Sequence, residues 1–264
     1  DYSEAYWEIR NLWMSDHIST VMVILLVGIG LVVLIRQTNK RYHYLAFVST
    51  QTKKITALPV IRECLFMTRF IKHPADACYE VKAKHKATML TAWIILALLF
   101  AVYVLGIVFT GFIFNPVIIE ETILVKEAMV LLLPILIFIV ANYLMSSLME
   151  GEGTFKATFI NTVGALMPIF ILYPIIVIVS NVITLNESFL YTMGNTVMLV
   201  WVGILVFFNI KETHNYSVGQ TVVNLLLTIL MMVIIIVVLI MVYLMVLQVS
   251  NFVTDIVKEV ILRD

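Results

Sequence analysis

Residues 222–249 read VVNLLLTILMMVIIIVVLIMVYLMVLQV, a run without one charged side chain. A helix needs about 20 apolar residues to cross ~30 Å of hydrocarbon, so this stretch spans a bilayer with length to spare. Its aliphatic residues fall on every face, as in a helix surrounded by apolar material. The short alternating segments of a membrane β-barrel are missing. In lipid the backbone must satisfy its own hydrogen bonds, and a helix does so within one segment. The run therefore decides for an α-helical membrane bundle.

Working outward, the same signature recurs at about 20–35 (the shortest), 89–114, 123–149, 157–183 and 189–210. Six spans are expected. Composition agrees: 62% of residues are hydrophobic and 13% charged, against about 45–50% and about 25% in soluble domains. Too few polar groups exist to coat a water-facing surface, which excludes soluble enzymes, nucleic-acid binders and disordered scaffolds.

Charge fixes the expected sidedness. Most of the 17 Lys and Arg lie between the first two spans, from Arg36, Lys40 and Arg41 to Lys82, Lys84 and Lys86, with only Glu63, Asp76 and Glu80 opposing them. Positive loops stay in the cytoplasm, so 37–87 is assigned there. Alternation then places 150–156 and 211–220 inside, and 115–121, 184–188 and both termini outside, in the cell membrane. Cys64 and Cys78 fall in the basic segment, where a structural disulfide is not expected.

The expected organisation is an extracytoplasmic 1–19, a first span at 20–36, the basic segment 37–87, a five-helix membrane domain at 88–250 and a C-terminal interfacial helix at 251–264. Residues 1–19 carry Asp1, Glu4, Glu8 and Asp16 against one Arg10 and have no basic signal-peptide start. They read equally as the end of a larger exported domain or as a short translocated tail. Within the basic segment, residues 60–72 place apolar side chains at helical spacing with Arg62, Arg69 and Lys72 beside them. This is an amphipathic helix meeting lipid, the bundle or a partner protein. Pro74 ends it and opens the next helix. Phe252, Ile256, Val260 and Ile261 likewise form one apolar face near the C-terminus.

Catalytic signatures are missing from the sequence. No His lies within a span, so no haem is held between membrane histidines. Phosphate-binding glycine loops and serine nucleophile elbows do not occur. No acid or base lies at mid-membrane, where proton relays reside. No cofactor or metal is expected. The span amides Asn142, Asn161, Asn181, Asn195, Asn209 and Asn224 bond between helices or line a polar path. Pro134, Pro168 and Pro174 kink or loosen their helices. At the inner face, Glu150, Gly151, Glu152, Gly153 and Lys156 end the third span and His214 ends the fifth. They are expected to form a polar cluster, with Gly151 and Gly153 supplying positive φ for a tight reversal. Loop bracing and ligand binding both remain open for it.

These loops also carry a resemblance. Asn142-Tyr143-Leu144 with Ser147-Leu148-Met149-Glu150-Gly151-Glu152-Gly153-Thr154-Phe155-Lys156 resembles the signature of the YIP (Ypt/Rab-interacting protein) domain family, in its bacterial branch. Gly164-Ala165-Leu166-Met167-Pro168, Ser180 to Glu187, Thr213-His214-Asn215-Tyr216-Ser217 and Leu226-Leu227-Thr228 follow in the family's order. His73-Pro74-Ala75-Asp76 and Tyr79-Glu80-Val81-Lys82 resemble the segment before the domain. The resemblance covers about 70–260 and implies a five-helix membrane bundle with a cytoplasmic N-terminal side; the first span is an addition. No enzymatic chemistry is expected. Eukaryotic members bind prenylated Rab GTPases in vesicle traffic, and some bacterial members look associated with carbohydrate importers of the ATP-binding-cassette type. The expected function is a scaffold or accessory subunit contacting the bilayer and other membrane or surface proteins, transporter permeases among them. The alternative is a small-molecule transporter or channel component with an Asn-lined path.

Overall fold

The structure, a computed structural model, describes residues 59–111, 114 and 124–261. The first span, the N-terminal stretch, residues 37–58 of the basic segment and the whole 115–121 loop lie outside the described residues. All regular structure among the described residues is helical. A short helix α1 (Pro59–Met67), a 3-10 turn (Thr68–Ile71) and α2 (Pro74–Lys84) precede the bundle. The bundle itself is α3 (Met89–Phe109), α4 (Leu124–Leu148), α5 (Phe155–Ala165), α6 (Met167–Ser180), α7 (Ser188–His214) and α8 (Val218–Ile261). Five stretches are long and apolar enough to cross a membrane, α5 and α6 together making one of them. The protein is an all-α, multi-pass membrane protein.

Local chemistry sets the helix ends. Thr88 caps α3, its hydroxyl accepting the Thr91 N–H, and Thr154 caps α5 by accepting the Ala157 N–H at 3.2 Å. Pro74 opens α2 at its first turn, as its fixed φ favours. α2 and α7 end on left-handed residues, His85 (φ 48°) and Asn215 (φ 58°), a common C-terminal geometry. The third spanning stretch breaks at Leu166. There Pro168 offers no N–H, and the chain tightens to three-residue bonds, Leu166 N–H to Val163 O and Ile169 N–H to Leu166 O. Pro134 and Pro174 sit inside α4 and α6 without ending them.

α5 is the hub: every residue from Ala157 to Ala165 is buried. Around it α2, α3, α4 and α7 close a core that includes Cys78, Val81, Ile95, Leu99, Phe159 and Ile160. The amphipathic 60–72 segment is not one helix. It tightens into the 3-10 turn, which drives Met67 and Phe70 into the core with no exposed surface. Gly164 makes that insertion possible, since a Cβ there would stand 2.7 Å from the Phe70 ring.

α8 behaves differently. Its first turns pack on α4 and, less extensively, on α7. From Ile236 onward every described side chain is exposed. Residues 251–261 continue α8 rather than forming the separate interfacial helix expected from the sequence. No Gly or Pro occurs after Gly219 to interrupt the backbone ladder. With 44 residues the helix is about 66 Å long at 1.5 Å per residue.

Candidate functional site at the basic end of the bundle

The sequence places the α4–α5 loop and the α7–α8 turn at the same end, and the structure brings them into contact. Gly151 N–H donates to Ser146 O at 2.8 Å, closing α4, and Tyr216 Oη donates to the same carbonyl at 3.0 Å. The His214 ring, 2% exposed, stacks on Tyr216 with centroids 5.5 Å apart. Its Nδ1 accepts the Gly153 N–H at 3.3 Å, which leaves Nε2 facing the Thr158 hydroxyl at 3.4 Å. Glu152 ties the loop to neighbours on two sides. It pairs with Lys82 of α2 at 3.0 Å and accepts from Asn215 Nδ2 at 3.5 Å. The hydrogen bond from Lys82, with that from Asn215, holds its carboxyl below the usual range.

The glycines serve close approach rather than backbone freedom. No described Gly has positive φ; the left-handed residue of the loop is Glu150 (φ 57°). A Cβ on Gly151 would stand 2.5 Å from Tyr216 Oη, and one on Gly153 would stand 2.6 Å from His214 Cε1. The expectation of glycine-supplied positive φ is thereby corrected: the ring of His214 needs the room. Lys156 does not join this cluster. It sits exposed on the first turn of α5, where its charge acts on Glu63 instead.

Two polar ladders run from this end into the helices. Between α4 and α8, Asn142 Nδ2 donates to Asn224 Oδ1 at 2.9 Å and Thr228 Oγ1 at 3.3 Å, and Asn224 Nδ2 donates to Ser146 Oγ at 3.1 Å. Between α2, α5 and α7, Asn161 Nδ2 donates to Thr213 Oγ1 at 2.7 Å. Asn209 Nδ2 donates to Asn161 O at 2.5 Å, and the Cys78 thiol donates to Asn209 Oδ1 at 2.9 Å. Burial pushes the Cys78 thiol far above its ordinary range. Asn181 and Asn195 stand apart. Asn181 Nδ2 donates to Phe109 O, the end of α3, and to Val177 O. Asn195 donates to Tyr191 O of its own helix.

The basic residues also divide. Arg69 pairs with Glu80 at 2.7 Å, Lys72 is exposed beyond the 3-10 turn, and Arg62 lines a cleft with Lys84 and Lys86. Sequence reasoning missed Glu63. Its Oε2 accepts the Thr88 N–H at 2.9 Å, the Thr88 hydroxyl at 2.8 Å and the Thr91 hydroxyl, joining α1 to the cap of α3. Burial alone would raise its pKa. Hydrogen bonds from Thr91 and Thr88, with the Lys156 charge, outweigh burial and lower it. The only advance signal was a Thr-x-x-Thr pattern at the start of the span. Among the described residues no cluster of three or more His, Cys, Asp or Glu is arranged to hold a metal ion.

Fold and site together define a multi-pass helical bundle closed at one end by two interlocked loops and two ladders of amides and hydroxyls. The Yip1 domain family matches residues 68–242, and the chain belongs to that family. The match begins at the 3-10 turn that carries Phe70 and contains both loops. Neither a curated protein nor a solved structure matches the chain.

Proposed function

We propose that this protein is a non-enzymatic membrane scaffold or accessory subunit that holds other membrane or surface proteins. Its setting is the cell membrane, with the basic end in the cytoplasm. The observation that carries this reading is the division of labour among polar groups. The side-chain amides of Asn142, Asn161, Asn209 and Asn224 donate between helices, while the outer part of α8 offers a long apolar surface that the described chain leaves uncovered. Amides used as glue hold a bundle together; amides lining a route face a common cavity. A cavity of about 240 Å³ instead lies between α3 and α6, lined by apolar side chains such as Val102, Phe109 and Pro174 together with Tyr173. The resemblance of the loops to bacterial YIP-type proteins adds permeases of carbohydrate importers as candidate partners.

The test is extraction from native membranes in mild detergent, followed by quantitative mass spectrometry. A permease or surface protein recovered in fixed ratio is the expected outcome. Recovery of the protein alone, combined with solute flux in liposomes, overturns the scaffold in favour of a transporter.

A further inference from the structure

A second concave feature lies away from the two loops. Between α1 and the turn from α2 into α3 is a cleft of about 350 Å³, lined by Arg62, Glu63, Phe66, Lys84, His85 and Lys86. Three strong cations face it, and among the described residues the acids beside it are Glu63 and Glu80. Glu63 is occupied by Thr88 and Thr91. Glu80, behind the turn, receives Arg69 at 2.7 Å, Lys86 at 3.0 Å and Lys84 at 3.8 Å. Arg62, Arg69, Lys84 and Lys86 thus stand against two carboxylates, Glu63 and Glu80, and Arg62 makes no ion pair among the described residues. The cleft is therefore net positive. Its wall is built rather than loose. Phe66 lies under both Arg69 (6.0 Å) and Lys86 (5.9 Å), and left-handed His85 fixes the turn, with Lys86 N–H reaching back to Glu80 O.

Depth identifies the ligand's source. The cleft turn runs straight into the Thr88 cap and the spanning helix α3, whose first turns expose Leu90 and Trp93. Trp is favoured where hydrocarbon meets headgroups. α1 exposes Leu65 as well. A positive cleft at that level, bordered by exposed apolar side chains, suits a ligand with a phosphate and acyl chains. We propose that the cleft binds the phosphate of an anionic phospholipid, with Arg62, Lys84 and Lys86 as its cations. The assignment is independent of the scaffold reading, since a transporter would carry the same cleft.

The full chain, reconstituted in phosphatidylcholine nanodiscs doped with phosphatidylglycerol, is released into detergent and its retained lipid read by native mass spectrometry. Wild type should keep phosphatidylglycerol under conditions that strip phosphatidylcholine. Arg62→Gln with Lys86→Gln should lower that retention about tenfold or more, given the attraction of each base to an anionic surface. Lys86 also serves Glu80, so Arg62→Gln alone covers the case in which the double variant does not fold; it should still lower retention severalfold. Lys72→Gln, exposed outside the cleft, should keep the lipid. Equal retention of both lipids overturns the site, as does retention unchanged in Arg62→Gln. A loss in Lys72→Gln as large as in Arg62→Gln overturns it in favour of diffuse surface charge. Release of the lipid by millimolar inorganic phosphate makes the ligand a soluble phosphate and overturns the lipid assignment.

Discussion

Both halves of α8 are rich in aliphatic residues, yet the first is packed along one face and the second is bare. In the first half Thr221, Asn224 and Thr228 lie on one helical face and are fully buried, and Asn224 and Thr228 meet α4 through Asn142 and Ser146. From Ile236 to Leu247 the helix offers Val, Leu, Ile and Met with Tyr243, and nothing in the described chain covers them. In lipid, a hydrocarbon side chain gains little by leaving a lipid tail for another helix. Hydrogen bonds and close-fitting small residues therefore choose which surfaces meet. The basic end obeys the same rule: Gly151, Gly153 and Gly164 admit rings, and amides and hydroxyls lock what those contacts bring near.

The contrast is broken most severely at Phe70. Phe70→Ala removes a fully buried ring from the junction of the 3-10 turn and α5 and should cost about 3–5 kcal/mol, as large-to-small core changes do. Val242→Ala in the bare half of α8 should stay within about 0.5 kcal/mol. Thermal unfolding in detergent measures both. Similar shifts would mean that the outer half is covered as tightly as the core.

Next in size is Asn224→Leu. It removes the nearer acceptor of the Asn142 amide, which keeps Thr228, and the amide that donates to the Ser146 hydroxyl, and about 1–2 kcal/mol should be lost. Asn195→Leu removes only a bond to its own helix, so its melting curve should move little. If the two curves shift together, the ladder does not select the packed half of α8.

How far the sequence reached follows from the same physics. Hydropathy locates spans because lipid imposes one requirement on every helix, and the five described spans were legible for that reason. Pro168 signalled the break at Leu166, and alternation put the 150–156 and 211–217 loops at one end. Hydropathy does not separate a side chain that faces lipid from one that faces protein. Hence Phe70, set in a segment that reads as amphipathic, gave no sign of entering the core. The first of the two loops was recognised but its mechanics were not. Glycine next to Glu suggests a turn dihedral, whereas the need for space against His214 arises from a residue more than sixty positions away. Lys156 was grouped with Glu150 and Glu152 by proximity in sequence, whereas its charge acts on Glu63 of α1. Glu63 was missed because its partners Thr88 and Thr91 belong to another helix.

Acid provides the finest probe, because from Ile236 to Thr254 α8 carries no Asp, Glu, Lys, Arg or His, whereas the basic end is held by carboxylates. The folded pKa of Glu63 is lowered from 4.5, so its stabilising contribution is complete above that value and is lost as pH falls through the folded one. Wild-type melting temperature should therefore be insensitive to this group from pH 7 to about 5 and drop below about 4.5. Glu63→Gln should begin lower at neutral pH, because an amide is a weaker acceptor for Thr88 and Thr91. Its curve should then fall less steeply in acid. Some slope must persist, since Glu80 and Glu152 are lowered in the same direction by their lysines. The two curves thus approach each other as Glu63 protonates. Parallel curves would place the acid sensitivity at other carboxylates and leave the α1–α3 junction held by its apolar contacts alone.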